Sequence, residues 1–117
     1  MPKAEGQRVI LTYVVAYPEV GRVKIGQARF YGDRMMQLRN GSPVKPVPFC
    51  AFVGAHHEKE LHERFKHLRI RLEYFWDTPE LRQYLESRKD ILTHEQALEL
   101  SPLLPRGKKP PQNLQEE

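Results

Sequence analysis

The chain is poor in cysteine, in long apolar runs and in internal repeats. Its one cysteine, Cys50, excludes a disulfide within the chain and suits a reducing compartment. The first residues are polar, and the apolar run behind them is far shorter than the roughly 20 residues that a membrane-spanning helix needs. We therefore expect a cytoplasmic protein with no membrane partner.

Neither sign of charge dominates the composition. The 117 residues include 19 lysines and arginines against 15 aspartates and glutamates, which gives a formal net charge of +4. This mildly basic balance permits a polyanionic partner such as a nucleic acid but does not require one. The length allows one domain with a modest core, not two.

Short segments rich in β-branched and aromatic residues alternate with segments of helical periodicity. The predicted strands are 9–17, 22–26 and 46–54, an extended segment covers 72–76, and the predicted helices are 33–40, 56–68, 77–87 and 93–100. Proline and glycine in "PEVG" predict a turn that joins the first two strands into a hairpin. A capping residue followed by Pro79 in the first turn marks the start of the helix predicted over 77–87, and Thr-x-x-Gln at the start of the last helix is a capping box.

These elements predict an α+β fold, with a small, mostly antiparallel three-stranded sheet flanked by helices. We expect the domain to span residues 8–89 and a short C-terminal helix to span 90–100. Residues 101–117 are rich in proline and lysine, which favours a flexible tail, and residues 1–7 are polar enough to fray.

Glu58 interrupts the apolar pattern of the helix predicted over 56–68. That helix has an apolar stripe made of Leu61, Phe65 and Leu68. Residues 58 and 65 are seven apart, so they lie within about 20° of each other around the helix. A carboxylate on that side is costly unless it meets a metal, a cation or water in a cleft. The alternative is a solvated Glu58 in the first turn, interacting with the helix dipole. His62 lies one turn further along and can reach the same space.

Tyr13 and Lys24 form a second pair of candidates. A connection at 17–20 would place them opposite each other on one face of the hairpin. A lysine beside a phenol favours the phenolate, and this would prime Tyr13 as a base. The plainer interpretation is a packed strand tyrosine beside an exposed lysine.

Five short motifs follow one another along residues 9–76. They are "LTYVV" with Tyr13, "VKIG" with Lys24, the Arg34 helix with its "NGSP" loop, "EKELHERF" with Glu58 and His62, and "RIRLEYFW". In this order and spacing the chain resembles the GIY-YIG nuclease superfamily, and in particular its phage-type branch, whose second motif reads KIG. The leading glycine and isoleucine of the first motif are absent here, and Leu72 stands where the branch has a glycine before its "EWF" ending.

The resemblance implies a role for each matched residue. Arg34 would hold the scissile phosphate as a guanidinium fork. Glu58 would hold one divalent cation, Mg²⁺ or Mn²⁺. Tyr13, primed by Lys24, would deprotonate the attacking water, and Gly26 would let the substrate approach the backbone closely.

Four further residues complete the predicted site. His62 would orient water or phosphate, and Glu73 would support the residues around it. Arg69 and Arg71 would add a basic substrate-binding surface.

Three hypotheses follow for the function. The first is a metal-dependent DNA endonuclease, with RNA not excluded as a substrate. The second is a non-catalytic nucleic-acid-binding module on the same fold, which would use Lys24, Arg34, Arg69 and Arg71. The third is an accessory protein that docks through its tail segment "PRGKKPPQ". A chain this short would act nonspecifically, as a homodimer, or with a targeting partner.

Overall fold

The structure is a computed structural model and describes residues 9–103. In this part of the chain, an antiparallel sheet of five strands has helices on both faces. The strands are β1 (Leu11–Tyr17), β2 (Arg22–Ala28), β3 (Val47–Val53), β4 (Arg69–Arg71) and β5 (Tyr74–Trp76), and the helices are α1 (Tyr31–Asn40), α2 (His56–Arg64), α3 (Pro79–Ser87) and α4 (His94–Leu100). Short 3₁₀ turns follow β1 and α2 at Pro18–Val20 and Lys66–Leu68.

The α+β class is confirmed, but the predicted count of three strands is wrong. The sheet order is β3-β1-β2-β5-β4, and every neighbouring pair is antiparallel. The two additional strands have only three residues each. Strands this short show no clear alternation in the sequence, so only the segment around residues 72–76 could be predicted as extended.

The hairpin register also differs from the prediction. Tyr17 still belongs to β1 and pairs with Arg22, so the connection runs from Pro18 to Gly21. Gly21 lies in the left-handed region with φ 65°, where glycine is favoured. Tyr13 therefore opposes Gly26, and Lys24 opposes Val15. A shift of two residues keeps both side chains on the predicted face but changes their neighbours.

Two hydrophobic clusters lie on opposite faces of the sheet. The first packs β1, β2, β3 and β5 against α2 and α3 and includes Val14, Ile25, Phe52, Leu61, Phe65, Phe75, Leu81 and Leu85. The second packs the other face against α1 and α4 and includes Leu11, Tyr13, Val15, Tyr17, Tyr31, Ala51 and Ala97. Alternate residues of β1 thus enter opposite cores, and all seven are buried.

The helix starts follow the predicted capping chemistry. Thr78 caps α3 by accepting a bond from Leu81 N–H, and Pro79 takes the first helical position. Thr93 and Gln96 form the predicted capping box at α4. The helix predicted over 56–68 ends earlier, at Arg64, and tightens into a 3₁₀ turn.

The last described residues belong to the fold rather than to the expected tail. Ser101 is buried, and its hydroxyl accepts a bond from Tyr31 N–H at 2.8 Å. Its carbonyl accepts a bond from Gly32 N–H at 3.0 Å. The remainder of the predicted tail, 104–117, and the predicted frayed start lie outside the described residues. Within residues 9–103, no helix combines the length and the apolar character needed to cross a bilayer.

Arg88 ties the end of α3 to the first core. Its guanidinium lies 4.7 Å from the centre of the Phe52 ring and donates to both carboxylate oxygens of Asp90, at 2.9 and 2.6 Å. These bonds lower the pKa of Asp90, because the guanidinium stabilises the ionised carboxylate.

We predict that Asp90→Asn lowers the melting temperature at neutral pH. The loss in free energy of unfolding should be less than about 1 kcal/mol, because Asp90 is half exposed. The pKa of Asp90 is lower in the folded state than in the unfolded state. Its contribution is therefore complete above the unfolded value and is lost as the pH falls through the folded value. The melting temperatures of Asp90→Asn and the wild type should therefore approach each other as the pH falls below about 4. Glu99→Gln, which also removes one exposed negative charge, is the control. A constant difference across this pH range would contradict the assignment.

Candidate active site

An open cleft lies beside β2, where the β2–β5 pairing ends. Its volume is about 610 Å³, and its lining residues are Lys24, Arg34, Glu58, His62, Arg69, Leu72, Glu73 and Tyr74. The cleft therefore brings together residues from β2, α1, α2 and the β4–β5 turn. Six of the site residues singled out in the sequence lie on this one surface: Lys24, Arg34, Glu58, His62, Arg69 and Glu73.

The end of the β2–β5 pairing explains how residues from both sheet faces reach one cleft. The last residue pair is Lys24 with Tyr74, and Ile25 N–H then donates to the Glu73 carbonyl at 2.9 Å. Beyond this bond the Ile25 carbonyl accepts from His62 Nε2 at 2.9 Å instead of from a strand. A side chain of α2 thus takes the place of a strand, and α2 comes close to the open edge of β2.

Gly26 forms part of the surface beneath this edge. A Cβ atom at this position would lie 2.7 Å from Tyr13 Oη and 2.8 Å from Glu73 Oε1, which is too close for either atom to remain in place. The absent side chain therefore lets the phenol and the carboxylate approach the same point. This matches the close approach expected of Gly26, but here protein groups occupy the space.

Tyr13 and Arg34 are joined directly. Arg34 lies in the first turn of α1, and its Nη1 donates to Tyr13 Oη at 3.3 Å. Arg34 Nε donates to Gln37 Oε1 at 3.2 Å, which fixes the guanidinium along its own helix. Tyr13 belongs to the second core and is fully buried, so its hydroxyl lies behind the cleft and meets it through Arg34, which lines it.

The expectation that Lys24 lies directly opposite Tyr13 is wrong, and Arg34 rather than Lys24 is the cation that acts on the phenol. Burial raises the pKa of Tyr13 above its ordinary value, and the opposing influence comes from Arg34, through its hydrogen bond and its charge. Lys24 Nζ lies instead 3.8 Å from Glu73 Oε1 and 5.4 Å from the centre of the Tyr74 ring. The register of the hairpin explains the change, since Tyr13 opposes Gly26 rather than Lys24.

Glu58 faces the sheet edge, as its place next to the apolar stripe predicts. Its side chain is only 17% exposed. Oε1 accepts a bond from Gln27 Nε2 at 2.8 Å, and Oε2 lies 3.8 Å from His62 Nε2. Glu58 is therefore held by a hydrogen bond from β2 and lies near His62, one turn further along its own helix.

His62 anchors α2 to the sheet. Since the Ile25 carbonyl can only accept, His62 Nε2 carries the proton in this bond. The ring also meets Phe75 edge-on, with centroids 4.9 Å apart. Its Nε2 is thus committed to the backbone, and its clearest effect is to position Glu58. Orientation of water or phosphate by His62 stays a prediction.

Glu73 is more central than its sequence position suggested. It lies in the β4–β5 turn, beside Lys24 and above Gly26. Burial raises its pKa most, and the nearby Glu58 raises it further, while Lys24 opposes the shift. Two carboxylates therefore share the cleft. Only the "EYFW" motif hinted at Glu73, and nothing in the sequence indicated Gln27.

The two arginines of β4 lie in different places. Arg69 lines the cleft, and its Nε donates to the Leu72 carbonyl at 2.7 Å. Arg71 lines a neighbouring groove rather than the cleft itself. Leu72 has φ 51°, in the left-handed region that favours glycine. The glycine expected there from the resemblance would adopt this turn with less strain.

The donor set can be tested against a divalent cation. Within residues 9–103, no three histidine, cysteine, aspartate or glutamate side chains group closely enough to form a complete metal site. Mg²⁺ commonly uses only one or two carboxylates and takes its other ligands from water and substrate phosphates. Glu58, supported by nearby Glu73, is compatible with that mode and not with a structural metal enclosed by protein.

Comparison of the chain with protein-family models, curated proteins and solved structures gave no match. The GIY-YIG resemblance accordingly remains a prediction from motifs.

We predict that Gly26→Ala lowers the free energy of unfolding by about 1–3 kcal/mol, because the new methyl group overlaps Tyr13 Oη and Glu73 Oε1. Tyr13→Phe removes the nearest overlapping atom, so Gly26→Ala should cost less in that background. A double-mutant cycle by chemical denaturation measures the coupling. Equal costs in the two backgrounds would show that Tyr13 and residue 26 do not meet.

Proposed function

We propose that the chain is a metal-dependent DNA endonuclease of the GIY-YIG type, which hydrolyses phosphodiester bonds in the cleft beside β2. The observation that carries this proposal is the meeting of Tyr13, Arg34, Glu58 and Glu73 at one open sheet edge. A phosphodiester hydrolase needs a cationic group for the phosphate, an oxygen base and an acidic ligand set. The cleft offers residues suited to the phosphate and the cation, and the Tyr13 hydroxyl lies directly behind it, bonded to Arg34.

Arg34 is the group we assign to the scissile phosphate. Its guanidinium is the cation that contacts Tyr13, so a bound phosphate would lie next to the proposed base. Lys24 and Arg69 also line the cleft and add positive charge around the same position. Arginine suits this task, since its planar fork matches two phosphate oxygens.

Tyr13 is the proposed base. A water molecule attacks phosphorus, its proton passes to the Tyr13 oxygen, and the bond to the leaving sugar oxygen breaks. Burial opposes the phenolate, so Arg34, rather than Lys24, is the residue that favours it. This assignment gives Arg34 two functions, which are to hold the phosphate and to favour the base form of Tyr13.

Glu58 is the proposed ligand of Mg²⁺ or Mn²⁺, with Glu73 beside it. When bound, the cation would stabilise the charge that develops on the leaving oxygen. Gln27 and His62 hold Glu58 in position, and Lys24 holds Glu73. The two carboxylates repel each other, so neutralisation by a cation would be favourable.

One observation favours the second candidate, a nucleic-acid-binding module without catalysis. Each carboxylate in the cleft already has a protein partner, Gln27 for Glu58 and Lys24 for Glu73. A pure binding site would keep these contacts and use its cations alone. RNA as a substrate, a homodimer, a targeting partner and a cytoplasmic location all remain proposals.

We predict that Glu58→Gln lowers the rate of Mg²⁺- or Mn²⁺-dependent cleavage of labelled DNA by orders of magnitude. The melting temperature of the variant should equal or exceed that of the wild type. Glutamine preserves the volume and can still bond Gln27, but it lacks the charge that a cation needs. DNA affinity in EDTA should hold or improve, because a negative charge near the phosphate is lost. The binding-module alternative expects no metal-dependent activity in either protein, with Arg34→Ala as the damaging change. Full activity in Glu58→Gln would end the proposed mechanism.

Tyr13→Phe tests the base separately. Only the hydroxyl is removed, so the buried ring should still pack, and we expect cleavage to fall at least about 100-fold. Single-turnover cleavage of single-stranded, duplex and branched DNA, with circular dichroism as the folding check, measures this effect. Phe65→Leu provides a control for a core change remote from the cleft. Wild-type rates in Tyr13→Phe would assign the base elsewhere.

A further inference from the structure

A second groove continues the cleft along the outer strands of the sheet. Its volume is about 370 Å³, and its lining residues are Arg22, Ile70, Arg71, Leu72 and Tyr74. Leu72 and Tyr74 line both the groove and the cleft, so the two form one continuous surface. No acidic side chain of the described residues lines the groove, in contrast to the cleft.

One aromatic ring, Tyr74, lines this groove, and a second, Trp76, adjoins it beside the lining residue Arg22. Tyr74 and Trp76 are two residues apart on β5 and therefore project from the same face of the sheet. Trp76 is 48% exposed, and the guanidinium of its strand partner Arg22 lies 5.8 Å from the ring centre. The surface thus pairs exposed aromatic area with the positive charges of Arg22 and Arg71.

Aromatic faces interleaved with cations match the chemistry of an unpaired nucleic-acid strand. Each base offers a π-face to an aromatic ring, and each phosphate offers a negative charge to an arginine. In a duplex the base faces are already stacked on one another, so a ring such as Trp76 has nothing to stack on. An acidic peptide would satisfy the arginines but would leave the aromatic faces without a planar partner.

We propose that this groove binds a single-stranded nucleic-acid segment flanking the bond to be cut, with a base stacked on Trp76 and phosphates on Arg22 and Arg71. The position of the segment relative to the scissile bond rests on the proposed function. Binding to the groove does not, and it can be measured in EDTA without cleavage. The substrate class thereby becomes DNA with an unpaired strand beside the cleavage point, rather than a continuous duplex.

Trp76 is the only tryptophan of the chain and lies next to Arg22 of the groove, so its fluorescence reports on binding at this end of the groove. The full chain is titrated in EDTA with oligothymidylate of about 12 nucleotides, with an abasic strand of equal length, and with a matched duplex. A fluorescent label on each strand reports binding independently, through anisotropy. We expect quenching of Trp76 by oligothymidylate and none by the abasic strand when both are bound.

Variants separate stacking from charge. Trp76→Ala should weaken oligothymidylate binding roughly tenfold and abasic-strand binding hardly at all, whereas Trp76→Phe keeps an aromatic face and most of the affinity. Arg22→Ala and Arg71→Ala should each reduce the slope of log affinity against log salt by roughly 0.7. Arg39→Ala, on an exposed face of α1, is the control and should leave that slope unchanged.

Several results would overturn the proposal. They are unchanged Trp76 emission with bound oligothymidylate, equal quenching by the abasic strand, duplex binding at least as tight as single-strand binding, or no nucleic-acid binding at all. A folded Trp76→Ala with wild-type affinity would also overturn it. Trp76-dependent single-strand binding without cleavage under any metal condition would refute the nuclease but support the groove. Cleavage of DNA without quenching of Trp76 would support the nuclease and refute binding in the groove.

Discussion

The early end of the pairing between β2 and β5 is the constraint on which the rest of the site depends. Leu72 enters the left-handed region and turns the chain from β4 into β5, and the Ile25 carbonyl is left to His62. If β5 began earlier, it would cover Gly26 and keep α2 away from the edge. Left-handed backbone at a leucine costs on the order of 1 kcal/mol, and this turn is what brings the Glu73 side chain over Gly26.

The charged side chains of the cleft already have protein partners in the absence of a ligand. Arg34 bonds Tyr13, Lys24 lies near Glu73, and Gln27 bonds Glu58. Side chains fixed in this way lose little further freedom on binding, which favours accurate positioning of a substrate. The cost is that a phosphate must compete for Arg34 and Lys24 with partners already present. Among residues 9–103, no carboxylate forms an ion pair with Arg22 or Arg71 of the neighbouring groove.

The sequence predicted the elements whose signals are local and missed those that depend on tertiary contacts. Capping chemistry at Thr78 and Thr93 located α3 and α4, because these bonds form within four residues. The short strand β5 is defined by its pairing to β2 and β4 by its pairing to β5, and no local pattern indicates either pairing. In the site, motifs singled out Tyr13, Arg34 and Glu58, whereas the roles of Gln27 and Glu73 follow only from the geometry of the open edge.

The two-residue difference in the hairpin register changes the chemistry assigned to the site without changing its members. If Tyr13 lay opposite Lys24, the lysine would favour its phenolate. Tyr13 instead lies opposite Gly26, which has no side chain, and its hydroxyl bonds the Arg34 guanidinium. Lys24 is then available to Glu73, whose pKa the neighbouring Glu58 carboxylate raises and the Lys24 charge lowers. A phosphate alone would draw on Arg34 and Lys24 and leave the two carboxylates less compensated. A divalent cation alone would add charge beside these same two side chains. The arrangement is best balanced when phosphate and cation bind together, which is what a metal-dependent phosphodiesterase requires and a simple nucleic-acid-binding surface does not.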